Sequence, residues 1–180
     1  AVLYRRSEGW VGRAELSRRH EVTVIEYVTE EVERQGHDVS AIDGLERVSW
    51  MLEAWVYALR LSDLSTTRKR VYGPSLADAE VMGKMIERVD NARGWRRCHV
   101  MVGSRACPDY LKVPALLVDL FEVRGPSLSP LEFYKAFASI HPFVDGNGRT
   151  GKVLLNWLGG TLRAPVFPPA DLWGRALRNP

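Results

Sequence analysis

Between His141 and Lys152 the chain reads His-Pro-Phe-Val-Asp-Gly-Asn-Gly-Arg-Thr-Gly-Lys. A titratable base, a carboxylate, a glycine-rich turn and two cations fall within one short segment. His141 has a side chain that accepts a proton near neutral pH. Asp145 is a hard oxygen donor, and a carboxylate beside phosphates points to Mg²⁺, which keeps several waters and takes one or two protein ligands. Gly146, Asn147 and Gly148 suit a turn whose successive N–H groups form an anion nest. Arg149 and Lys152 are three residues apart, so on a helix they share a face. Arg149 would grip outer phosphates as a bidentate fork and Lys152 as a point charge.

Such groups need rigid elements to hold them. Val153, Leu154, Leu155, Trp157 and Leu158 predict a buried helix running on from the turn, with its N-terminal dipole favouring an anion. Before the motif, Ser129 as N-cap, Pro130 at the first helical position and Glu132 completing a capping box predict a second helix up to Ile140. Helical spacing predicts further helices over about 14–35, 44–60, 75–92 and 113–122. Ser75 and Asp78 would cap the third of these, and Pro114 suits the first turn of the fourth. Gly125-Pro126 and Gly159-Gly160 mark breaks. Trp50 and Trp55 are expected in the core.

Two nucleotide motifs compete for the glycine-rich run. Gly146 to Lys152 matches most of a P-loop, but Val153 stands where that motif needs a Ser or Thr hydroxyl, and a helix precedes it where a strand is required. The segment resembles far more closely the signature of the Fic domain family, H-x-F-x-[DE]-G-N-G-R-x-x-R. His141, Phe143, Asp145, Gly146, Asn147, Gly148 and Arg149 all match, and Lys152 replaces the final arginine. Asn156 stands where many members carry an asparagine near the nucleotide. Gly94-Trp95-Arg96 followed by Val100 is similar to the stretch that precedes the family's flap. The likeness covers roughly residues 75–170.

The resemblance implies an all-α fold, a Fic-type helical bundle with a short β-hairpin flap beside the active site. It implies transfer of a nucleoside monophosphate, usually AMP from ATP, to a Ser, Thr or Tyr hydroxyl of a target protein. His141 would be the base and Asp145 would bind Mg²⁺. The turn at Gly146, Asn147 and Gly148 would stabilise charge on the α-phosphate. Arg149 and Lys152 would hold the leaving pyrophosphate, and Phe143 would anchor the loop. Gly148, where one branch of the family has lysine and phosphorylates, favours nucleotidyl transfer. Residues 98–103 would form the flap on which the target docks by strand addition. Many members also carry an inhibitory helix whose glutamate pairs with the last motif arginine. The nearest match is Val39 to Gly44, with Asp43 in the glutamate's place. Asp43-Gly44 reads equally as a turn before a helix. An antitoxin or other regulatory partner is a further expectation of the resemblance. A donor other than ATP, removal of AMP, and a non-catalytic nucleotide-binding module are the alternatives.

Composition sets the outer bounds. The chain has 180 residues, 46% of them hydrophobic, which suits one compact domain. Residues 1–74 would supply N-terminal helices, including the inhibitory one, and 75–180 the catalytic core. No apolar run reaches membrane-spanning length, and no signal-peptide pattern opens the chain. Cys98 and Cys107 are the only cysteines and read as reduced thiols. A cytoplasmic protein, or one delivered into a host cell, is expected. The start without methionine suits a processed or trimmed chain. The net charge of +3 is mild, and Arg68-Lys-Arg70 reads as a solvated loop, so nucleic acid is not expected as a partner. His20, His37 and His99 lack chemical neighbours in sequence and read as structural.

Overall fold

A computed structural model of the chain describes residues 18–67, 73–170 and 172. The basic cluster Arg68-Lys-Arg70 lies outside the described residues. Six α-helices and one hairpin are seen there: α1 (Arg18–Arg34), α2 (Ile42–Thr67), α3 (Leu76–Ile86), β1 (Met101–Val102), β2 (Arg105–Ala106), α4 (Val113–Val118), α5 (Pro130–Ile140) and α6 (Asn147–Leu158). The expected helical bundle with a short hairpin is what forms.

α6 lies at the centre and packs on α5, α2 and α3. Nine of its residues are buried, from Asn147 to Trp157, because helices cover it on several sides and few of its positions face solvent. Core side chains from every α-helix meet in one cluster that includes Val28, Trp55, Met82, Leu117, Phe137 and Leu154. Trp55 is fully buried and its indole N–H donates to the Leu162 carbonyl at 2.9 Å, as a buried indole requires. Trp50 differs from expectation. It is only half-buried, with the Arg88 guanidinium 5.5 Å from its ring centroid.

Local chemistry fixes the helix starts. Ser75 and Asp78 close a capping box on α3, and Ser129 and Glu132 close one on α5, each satisfying otherwise orphaned backbone donors. The ends depart further from the sequence reading. α3 stops at Ile86, short of residue 92, because the Asn91 side chain donates to the Gly83 carbonyl at 3.0 Å and the chain turns away. α4 keeps its α-helical form only to Val118 and continues as a π-turn over Asp119–Arg124. α2 runs to Thr67, beyond the expected end near 60. The hairpin, Met101–Ala106, lies three residues further along the chain than the flap expected over 98–103. Its second strand pairs Met101 with Ala106 and Val102 with Arg105. Gly103, at φ 58°, begins the two-residue turn between them.

Candidate active site

The motif loop lies between the end of α5 and the start of α6. His141 caps α5 in the left-handed conformation, φ 51° and ψ 62°, the one positive-φ non-glycine residue among those described. Such a conformation costs energy and persists only where the surroundings impose it. Three contacts impose it here. The His141 amide donates to the Phe137 carbonyl at 3.1 Å, and its own carbonyl accepts from Arg96 Nε at 2.7 Å. Phe143, fully buried, seats its ring directly on Gly83 and 4.7 Å from the Trp95 ring. A Cβ at Gly83 would lie 1.9 Å from that ring, so only glycine leaves room. Burial, with the Arg96 and Arg105 charges adding to it, pushes the His141 imidazole below its ordinary range. This favours the neutral imidazole, the form that can accept a proton.

Gly146 then turns the chain at φ 72° and starts α6. The Asn147 side chain is buried and spent on the loop: its Oδ1 accepts from the Phe143 amide at 2.8 Å and its Nδ2 donates to the Phe143 carbonyl at 3.0 Å. Asn147 thus ties the loop with its side chain and offers an anion its backbone N–H alone. The first amides of α6 lack partners within the helix, which makes that end suited to a phosphate. Asp145 is held from behind, since Asn91 Nδ2 donates to its carbonyl at 2.9 Å.

The two motif cations are already engaged. Arg149 is fully buried. It donates to Gln35 Oε1 at 3.0 Å, Glu87 Oε1 at 3.1 Å and Asp145 Oδ2 at 3.3 Å. Glu87 also pairs with Arg47 from α2. Lys152 Nζ meets Glu31 Oε1 at 2.6 Å. Glu31 is fully buried on α1, accepts also from Gln35 Nε2 at 2.6 Å, and leaves its Oε2 without a partner. Burial, with the charge of Glu31 adding to it, pushes the nearby Tyr134 hydroxyl up to about 12. Gln35 covers Gly148, its Nε2 lying 2.9 Å from where a Cβ would stand. The carboxylates of Glu87, Asp90 and Asp145 come within 4.8 Å of one another. Hard oxygen donors in such a group fit Mg²⁺; Asp90 is exposed and Asp145 has 46% of its side chain exposed, so both are open to an incoming ion, whereas Glu87 is buried.

Two expected site residues are placed differently from expectation. Asp43 is exposed in the first turn of α2 and does not pair with Lys152, whose partner is Glu31. Asp43 and Gly44 also do not form a turn before α2 but lie within it, and Gly44 packs on the preceding loop, where a Cβ would meet the Asp38 carbonyl oxygen at 2.1 Å. Asn156, expected beside the nucleotide, is buried and holds the segment after α6. Its Nδ2 donates to the Val166 carbonyl at 3.1 Å, and its Oδ1 accepts from the Val166 amide at 2.8 Å.

Sequence reasoning missed Glu31, Gln35, Arg47 and Glu87. For the first two a signal existed. Val24, Tyr27, Val28 and Val32 form the buried stripe of α1, and Glu31 and Gln35 continue that stripe. A carboxylate on an apolar stripe needs a buried cation. His37, read as structural, stands near the same charges. Burial first, then Arg47 and Arg149, lower its pKa.

Residues 78–159 match the Fic/DOC family model. A protein adenylyltransferase Fic of Drosophila grimshawi is 35% identical over 102 residues, which is 50% of this chain and 20% of that protein. A protein of the same name from Drosophila persimilis is 36% identical over 102 residues, 50% of this chain and 19% of its own length. The chain thus aligns with about a fifth of these relatives. A Fido domain-containing protein of Dictyostelium discoideum is 43% identical over 47 residues, 24% of this chain and 33% of that protein. Among solved structures, a Fic family protein from Desulfovibrio desulfuricans superposes with a TM-score of 0.60. The identity is 17%, over 81% of this chain and 50% of that one, a likeness of fold.

Proposed function

Because the chain carries a Fic/DOC-family domain over residues 78–159, we propose that it is a protein adenylyltransferase, moving AMP from ATP to a side-chain hydroxyl of a target protein. One observation carries the reading. A partly buried histidine whose pKa is lowered, a half-exposed carboxylate and a helix N-terminus whose first amides lack helical partners converge on one loop beside a hairpin.

In this reaction the target hydroxyl loses its proton to His141 as its oxygen attacks the α-phosphorus. The bond to the bridging oxygen breaks and pyrophosphate leaves. The amides at the start of α6 meet the charge that develops on the α-phosphate. Asp145 would hold Mg²⁺, which when bound would neutralise phosphate charge. Arg149 and Lys152 would receive the pyrophosphate, for which positioning and electrostatics are the main demand.

Both cations must first exchange partners. A buried ion pair contributes little net stability, because desolvation offsets the attraction. The Lys152–Glu31 pair, with one carboxylate oxygen unsatisfied, is thus suited to displacement by phosphate. Glu31, in place of Asp43, takes the role of the inhibitory carboxylate.

The test is transfer of label from α-labelled ATP, with Mg²⁺, into lysate proteins. Wild type, His141→Ala, Glu31→Gln and Asp43→Asn are compared. Label that requires His141, rises in Glu31→Gln and stays unchanged in Asp43→Asn is the expected result. Equal labelling with and without His141 would overturn the reading of it as the base.

A further inference from the structure

Arg96 is 3% exposed. Every hydrogen bond recorded for its side chain goes to a main-chain carbonyl. Its Nε donates to His141 at 2.7 Å, and its two terminal nitrogens donate to Cys98 at 2.8 Å, Pro108 at 2.5 Å and Ile140 at 3.4 Å. Its own amide donates to the Pro142 carbonyl at 2.8 Å. One residue therefore binds three consecutive carbonyls around the histidine, and also the chain on each side of the hairpin. Burying a guanidinium is costly, and the C-terminal carbonyls of α5 offset that cost by offering negative dipole ends to a cation. A lysine head could not span these acceptors, because the planar fork reaches separate directions at once.

We propose that Arg96 is a positioning residue that locks both legs of the hairpin to the backbone of His141. A hydroxyl docked on the hairpin then meets the histidine at a fixed distance. The catalytic part of this inference rests on the transfer reading above, whereas the lock itself is a property of the fold.

Two measurements test it. Arg96→Lys keeps the charge and loses the fork. With labelled ATP and a modified target, it should lower kcat by about ten- to a hundredfold, the size expected when a reacting group is misplaced by a fraction of its bond length. The KM for ATP should stay within about twofold, since the fork touches no part of the anion turn. Unchanged kcat, or a loss carried by the ATP KM, overturns the proposal. Native-state hydrogen exchange supplies the second measurement, on wild type. The Cys107 amide, bonded to Val100, and the Arg96 amide, bonded to Pro142, should open in one event of common free energy. Independent opening of Cys107 overturns the lock, and this result stands even where the lysine variant does not fold. No label from wild type would defeat the transfer reading alone, with the exchange data still deciding the lock.

Discussion

His141 and Lys152 each carry a consequence that can be measured. Burial lowers the His141 pKa, so the neutral base persists to more acidic pH than an ordinary imidazole would. The rate of transfer should rise with pH through a midpoint below the usual value of about 6.5. Stability follows the same sign. The unfolded chain binds the proton more readily, so stability falls as pH drops from about 6.5 toward the folded pKa and is unaffected above it. A kinetic midpoint at or above the ordinary value would contradict this. Lys152 supplies charge without the fork that the family pattern has at this place. Lys152→Met should raise the KM for ATP by about tenfold or more, as expected for a lost charge contact to phosphate, while Lys152→Arg retains function. Steady-state kinetics of label transfer would read both.

At the scale of elements, the loop is held by contacts that leave no slack. Gly83 on α3 touches the Phe143 ring, so Gly83→Ala must displace the ring or the helix. Overpacking of this kind costs roughly 1–3 kcal/mol, and urea unfolding would measure it. Transfer should fall further than stability accounts for, since Phe143 lies two residues from His141. Ser129→Ala offers a contrast. It removes the α5 capping box at a cost of about 1 kcal/mol, far from the anion turn, so kcat should be unaltered. If both variants lost activity in proportion to stability, Phe143 would be a core residue without a special place in the loop.

The whole molecule brings α1 against α6. Val28 and Val32 are fully buried, and between them Glu31 reaches Lys152 across 121 residues of sequence. ATP with Mg²⁺ would compete with this carboxylate for the lysine. Ligand at about a hundred times its Kd stabilises a protein by roughly 2.7 kcal/mol. At a fixed ATP concentration the rise in Tm should be larger for Glu31→Gln than for wild type, because the competing charge is gone. An equal rise would mean that Glu31 does not oppose the nucleotide. Among the described residues no helix is long and apolar enough to cross a membrane.

The motif itself was legible in the sequence, because its chemistry is local. A base, a carboxylate and a glycine turn ahead of an apolar helix state their purpose by spacing alone. The capping residues Ser75 and Ser129 were legible for the same reason, since a cap bonds an amide three residues away. Tertiary structure decided what lies across from each group. Asp43 resembled an inhibitory residue in sequence but sits exposed, whereas Glu31 faces Lys152 because the stripe of α1 turns it inward. Asn156 went to the segment around Val166, and Arg96 to carbonyls of both the hairpin and the motif loop. Hydrogen bonds and ion pairs between distant segments depend on packing that spacing does not encode. The sequence therefore specified the reacting groups, and the fold selected their partners.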